Sequence, residues 1–307
     1  MKKSIFVVYL LVIFAFPGFS QKIILNFNPP LESKYSTEFD IQSTVQQTIM
    51  GIEQTIKVNM LMIMDSHVVE SESNYSLIKV QYKKFSIESS DAFVSFAIDS
   101  ETKDENPANL IFRSLIDKSF FVKFDRSGEV IEIIGLDQII NDILKGIDPS
   151  DPIYEGYKKT LEESFGVNNL RQNFQQLSVA FPSYEVGTGD TWNYNLNSKA
   201  TNFDVQMYNV ATIKSIDTDN VIIQNNSTII SSHSDSMEIQ GMKGKIDMTG
   251  SSISEIYINP ETGLTKSGVV TQEIEGDLIL ITEETGEEEI KIPMKIYSRI
   301  RVKNIMY

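Results

Sequence analysis

Three methionines at alternate positions, Met60, Met62 and Met64, come nearest in this 307-residue chain to a spacing that could do chemistry. Alternate residues of a strand lie about 7 Å apart on one face, so three polarizable thioethers could converge on a soft ion such as copper(I). The same face carries Ile56 and Val58, and methionine fills irregular apolar gaps well, so core packing is the expected role and no metal is assigned. Catalytic residue types are sparse. His67 and His233 are the only histidines, both among polar residues, and there is no cysteine. No Gly-x-Ser-x-Gly elbow, His-Glu-x-x-His helix or phosphate loop occurs, and Gly187-Thr188-Gly189 starts a dinucleotide-like pattern without its third glycine. With 42 acidic residues, chance carboxylate pairs are certain and carry no weight as an acid–base couple. Neither an enzyme nor a cofactor is expected.

The address is more legible than any activity. Lys2 and Lys3 precede the apolar run Ile5 to Phe16, and Gly18 and Ser20 supply the small side chains that precede a cleavage site. Residues 1–20 are therefore read as a signal peptide, with Gln21 the first residue of the mature chain. The run is too short for a ~30 Å bilayer core, so the mature protein is expected to be exported to the periplasm or cell exterior without spanning the membrane. Removing two lysines takes the net charge from -15 to -17. Such a surface repels phosphate backbones, which excludes nucleic acid as a partner. Without disulfides, stability must come from an ordinary core.

The elements that would hold any site are mostly strands. Period-two alternation marks Tyr35 to Met50, Ile56 to Met64, Tyr75 to Ile87 and Phe93 to Ile98, and returns from Thr191 to Lys303, with separate strands expected at Leu264 to Glu275 and Leu278 to Glu283. Asn259 to Gly263 forms a hairpin turn, and the acidic run around Gly286 reads as another hairpin tip. Between these arms, Asn106-Pro107 starts a short helix, Phe120 to Ile134 is a hairpin, and Leu136, Ile139, Ile140, Ile143 and Leu144 recur at helical spacing. Tyr157 and Phe165, then Phe174, mark further helical stripes. The expected fold is α+β and predominantly antiparallel, as long curved sheets or an incomplete barrel with a helical block at about 106–180 packed on one face. Residues 21–307 read as one β-rich domain. Counting back in twos from Tyr307 places Lys303, Arg301 and Arg299 on one face, which argues against an outer-membrane barrel.

Gly128, the run Glu129 to Gly135, the helical stretch, Phe181-Pro182 and Gly189-Asp190-Thr191-Trp192 together resemble a family of exported Bacteroidota-type proteins of unknown function. That resemblance brings no catalytic residue with it. In Gly-Asp-Thr-Trp, glycine permits a tight turn, aspartate caps it, and tryptophan anchors the next strand. The preferred reading is a non-enzymatic envelope protein holding an apolar or lipid-like ligand between sheet and helices, with Ile139, Ile143, Tyr157, Phe165 and Phe174 lining the seam. The alternative is a structural or interaction protein that docks an envelope partner along a strand edge or acidic tip.

Overall fold

A computed structural model describes residues 22–92, 95–103, 106–145, 147–150, 154–176, 178–200, 203–232, 237–239, 242–281 and 289–307. In chain order these form β1 (Lys34–Ile49), β2 (Ile52–Ser71), β3 (Tyr75–Ser90), β4 (Ser95–Asp99), α1 (Pro107–Leu115), β5 (Ser119–Asp125), β6 (Val130–Ile134), α2 (Leu136–Leu144), α3 (Tyr154–Phe165), α4 (Val167–Gln176), β7 (Thr191–Ala200), β8 (Phe203–Ile216), β9 (Val221–Ser232), β10 (Met237–Ile239), β11 (Met242–Ile258), β12 (Thr265–Ile281) and β13 (Glu289–Met306). Alternation governs the strands. In β2 the even residues Met60, Met62 and Met64 turn into the core, while Lys57 and Asn59 face outward.

All strands belong to one antiparallel sheet, ordered β6-β5-β3-β2-β1-β13-β12-β11-β9-β8-β7, with β4 on β3 and β10 on β11. The eleven-strand path would span about 48 Å if flat, at ~4.8 Å per step. Yet α4, a helix of ~10 Å diameter, packs against both edge strands, β6 and β7. The open sheet must therefore curl, with its inner face turned toward the helices. Arg171 ties α4 to β6 by donating to the carbonyl oxygens of Val130 and Ile131 at 2.8 and 3.2 Å. Residues of both arms, including Phe120 and Val122 from one and Trp192 and Ile213 from the other, share one apolar core with Leu161 and Leu170.

The expected α+β fold with a central helical block is corrected. The chain is mostly antiparallel strand in one large open sheet, and its helices are short. Physical breaks explain this: the β5–β6 hairpin intervenes after α1, turning at Gly128 with φ 85°, and Pro149 follows the end of α2. At Gly166 the backbone turns so close to the Glu162 carbonyl oxygen that a Cβ would overlap it, and glycine allows α3 to give way to α4 there. A second correction concerns Gly276. Two strands were expected around it, but β12 runs straight through. Glycine there lets the backbone come so near Asp247 that a Cβ would overlap its carbonyl oxygen.

One end of the sheet is closed by the segment 22–33. Ile23 bridges Val186, Phe27 N–H donates to the Arg126 carbonyl, Asn28 N–H donates to that of Thr262, and Leu25 and Phe27 are buried. Asn259 to Gly263 turns as expected, with Gly263 at φ 68° pressed against the Asn26 backbone. The Gly-Asp-Thr-Trp segment also behaves as read: Gly189 has φ 90°, Asp190 Oδ2 accepts from Gly187 N–H at 2.8 Å, and the buried Trp192 indole donates to the Ala180 carbonyl at 2.7 Å.

Candidate functional site

The long strands from β7 across to β2 separate two chemistries by face. Lys57, Asp247, Glu255, Glu273, Glu275, Lys295, Arg299, Arg301 and Lys303 all alternate onto the outer face. The inner face carries no charged side chain along the described residues of these strands. That pattern continues past the helix-covered part almost to the hairpin ends, where Ile49 pairs with Ile52 and Leu280 with Ile290.

Register divides the inner face into rows. One row is polar: Tyr194 pairs with Asn209, then Ser227, Ser252, Gln272, Ser298 and Ser43 follow on successive strands. The next row toward the hairpin ends is apolar, running Leu196, Met207, Ile229, Gly250, Ile274, Ile296, Val45 and Ile56. Leu196, Met207 and Ile229 form a second small cluster with Tyr194, Val205 and Ile274, and every member comes from the sheet. On the other side of the polar row, by contrast, Met60, Ile87 and Phe39 belong to the main core with the helices.

The polar row is a bonded network at its β8–β9 end. Asn209 Oδ1 accepts from Ser227 Oγ at 2.6 Å and from Asn225 Nδ2 at 3.0 Å, and Asn225 Nδ2 also donates to Ser227 Oγ at 3.2 Å. Asn209 Nδ2 donates to the Met207 carbonyl. These bonds orient the Asn225 amide and leave its Oδ1, fully buried, without a hydrogen-bond partner. Across the sheet, Ser43 and Ser298 share a 2.8 Å hydrogen bond. Burial raises the Tyr194 phenol pKa above its ordinary value by disfavouring the phenolate.

The four described seam residues lie in or against the main core. Ile139 lies in the core and Ile143 packs against it half-buried. Phe165 enters an aromatic cluster, 5.3 Å from Phe112, 5.7 Å from Phe85 and 6.0 Å from Tyr82. Phe174 lines a cavity of about 90 Å³ with Tyr35, Phe124, Phe181 and Val302. That holds about three waters and falls well below the ~300 Å³ at which ligand pockets begin. The Tyr157 side chain lies outside the described residues. Met62 and Met64 are buried in the main core and Met60 packs against it, the packing role expected of them.

The outer face offers shallow charged hollows. One of about 610 Å³ is lined chiefly by Gln46, Glu53, Asp247, Glu275, Asp277 and Lys295, and Lys295 pairs with Glu275 at 3.0 Å. Among the described residues no group of histidines or carboxylates is arranged to hold a metal ion. His67 pairs with Glu32 at 2.8 Å on the surface, while His233 and the acidic run 282–288 lie outside the described residues. No described helix is long and apolar enough to cross a membrane. Sequence reasoning missed the polar row because its members lie tens of residues apart and meet only through register; a polar residue at an inward position of several successive strands was the available signal.

Comparison with known proteins adds a family but no activity. No curated protein matches the sequence. Among solved structures, lipovitellin, from a study of its lipid–protein interactions, is 12% identical with a TM-score of 0.47; the match covers 91% of this chain, which spans about a quarter (26%) of that one. An outer-membrane channel from Pseudomonas putida F1 is 9% identical with a TM-score of 0.24, over 93% of this chain and 99% of the other. DynF, from the dynemicin biosynthesis pathway of Micromonospora chersina, is 7% identical with a TM-score of 0.21, over 93% and 86%. A family model matches residues 72–265, most of the span from β3 to the start of β12, and the chain accordingly belongs to DUF6263, a family of unknown function.

Proposed function

We propose that this protein is an exported, non-enzymatic envelope protein of the Bacteroidota type that holds an apolar or lipid-like ligand against the inner face of its sheet. The observation that supports this is the uncharged inner face beyond the polar row. A face meant for water has no reason to exclude charge over so many strands, particularly when the outer face of the same strands is rich in it. From Gln272 to Leu280 the inner face of β12 continues over eight residue steps, about 27 Å of strand. One acyl chain spans about 15 Å, half of a ~30 Å bilayer core, so the face is long enough for one. The sheet–helix seam with Ile139, Ile143, Phe165 and Phe174 remains in the proposal as the packed wall that ends the binding face. The leader-like residues 1–20 support export to the periplasm or cell exterior.

Native mass spectrometry of protein purified without denaturation from its own cell envelope tests the reading. A retained apolar mass is expected. Binding of a fluorescent fatty-acyl probe should weaken at least tenfold in Ile296→Lys, which puts a charge in the apolar row, and stay unchanged in the outward-facing Tyr297→Lys. Absence of both retained mass and probe binding would end the proposal.

A second reading, docking of an envelope protein, draws on Ile131 and Ile134, which are exposed on the edge strand β6. Edge strands with apolar side chains invite strand addition. Crosslinking in the envelope with and without Ile131→Lys separates the two readings, because that substitution leaves the inner face untouched.

A further inference from the structure

We infer that the polar row is a head-group site, and that the ligand is an uncharged amphiphile whose head donates a hydrogen bond to Asn225 Oδ1. This rests on the reading of the inner face as an apolar binding surface and specifies what that surface selects.

Three observations converge. First, the row is polar on every strand it crosses from β7 to β1, whereas its neighbour toward the hairpin ends is apolar. Tyr194, Asn209, Ser227, Ser252, Gln272, Ser298 and Ser43 lie side by side on seven strands, and Asn225 and Ser254 stand one step nearer the helices. Packing alone would favour apolar residues here, since each buried amide or hydroxyl costs stability unless it is bonded. Asn209 and Asn225 are nevertheless only 2% and 7% exposed.

Second, the network is complete except at one atom. Asn225 Nδ2 donates twice, Asn209 Oδ1 accepts twice, and Asn209 Nδ2 donates to a carbonyl, which leaves Asn225 Oδ1 as a buried acceptor without a donor. A flip of the Asn225 amide would turn its oxygen toward Asn209 Oδ1 and lose both donated bonds, so the orientation is set by the neighbours. An O–H or N–H from a ligand would satisfy that oxygen.

Third, the row contains amides and hydroxyls but no ionised group. Its one titratable member, the Tyr194 phenol, is neutral at ordinary pH, and burial raises its pKa further. A carboxylate, phosphate or ammonium head would enter without a counter-charge, at a desolvation cost that the row cannot offset. The apolar row lies next to it: Leu196, Met207 and Ile229 are buried against one another, and the half-buried Ile274 and Ile296 are the members open to the chain attached to such a head.

The test uses the full mature chain and three probes sharing one oleoyl chain: monoolein, with hydroxyl donors; methyl oleate, uncharged and without a donor; and oleate, anionic. Affinities are measured by competition against a fluorescent acyl probe. The wild type should bind monoolein about tenfold more tightly than methyl oleate, the worth of one buried hydrogen bond, and oleate least well. Asn225→Leu should remove the preference for monoolein while methyl oleate keeps its affinity. Thermal melting of the variant confirms folding, and Ser227→Ala, a smaller perturbation of the same network, should narrow the preference without abolishing it. Equal binding of all three by the wild type overturns the head-group site and leaves the apolar reading standing. Tightest binding of oleate overturns the inference of an uncharged head. Failure to bind any probe overturns the apolar reading beneath it.

Discussion

The two halves of the inner face follow the same alternation and meet different partners. Toward the segment 22–33, inward side chains meet helices: Phe85 stacks on Phe112 at 4.4 Å, and Phe165 lies 5.7 Å from Phe85 and 6.0 Å from Tyr82. Beyond the polar row, inward side chains such as Leu196, Met207 and Ile229 cluster with residues of the sheet alone. Apolar periodicity therefore identifies a face that avoids water without saying what replaces the water. In the first half the replacement is the helices; in the second it is other residues of the sheet, with Ile274 and Ile296 left half-buried for the proposed ligand.

Substitutions that treat the halves alike would break this contrast. The largest effect is expected in the covered half, where Phe165→Ala should cost about 3–5 kcal/mol in chemical denaturation, since it opens a hole among three rings. Alkaline titration comes next. Burial raises the Tyr35 phenol from 10.0 to about 12 and raises the pKa of Tyr82 and Tyr194 as well. A phenol with a raised folded pKa keeps its contribution below pH 10 and loses it as pH climbs through about 12, because the unfolded chain ionises first. For Tyr35 the loss is on the order of 2–3 kcal/mol, read from denaturation midpoints between pH 9 and 12. Tyr35→Phe should flatten that dependence. In the uncovered half, Ile296→Ala should cost no more than about 1 kcal/mol without ligand, because the side chain is only half-buried. A cost as large as that of Phe165→Ala would mean the second half is a packed core. The smallest effect belongs to the outer face: Asp40→Asn removes the partner of Arg301, 2.8 Å away and more than a third exposed, and should shift stability by at most about 0.5 kcal/mol.

Much of the local structure was legible from residues. The inward set Ile56 to Met64, the Asn259 to Gly263 turn, the Phe120 to Ile134 hairpin and the stripe from Leu136 to Leu144 all stand as read, because each depends on neighbours in sequence. What could not be read was register. Ser43, Ser298 and Gln272 look like isolated polar interruptions until β1, β13 and β12 are laid side by side. The placement of the seam residues was hidden for a related reason. Phe165 and Phe174 lie on separate helical stripes on either side of Gly166, and the turn between them sends the first into the aromatic cluster and the second to the small cavity near Phe124. Helical spacing shows that a face is apolar; the angle between two short helices decides where that face points.

The pairing of β1 with β13 sets the order of events in folding. Tyr35 stands opposite Met306, and this ladder lies at the middle of the sheet, with one arm growing from each side of it. The arms β1 to β3 and β7 to β12 consist largely of neighbours in sequence and can form early, but the seam between them requires closure of a loop of some 270 residues, an entropic cost met only when β13 is present. Until then both arms expose a long uncharged face and an unpaired edge. Folding should thus be slow and prone to self-association at that one step, and anything that occupies the inner face would speed the escape from it.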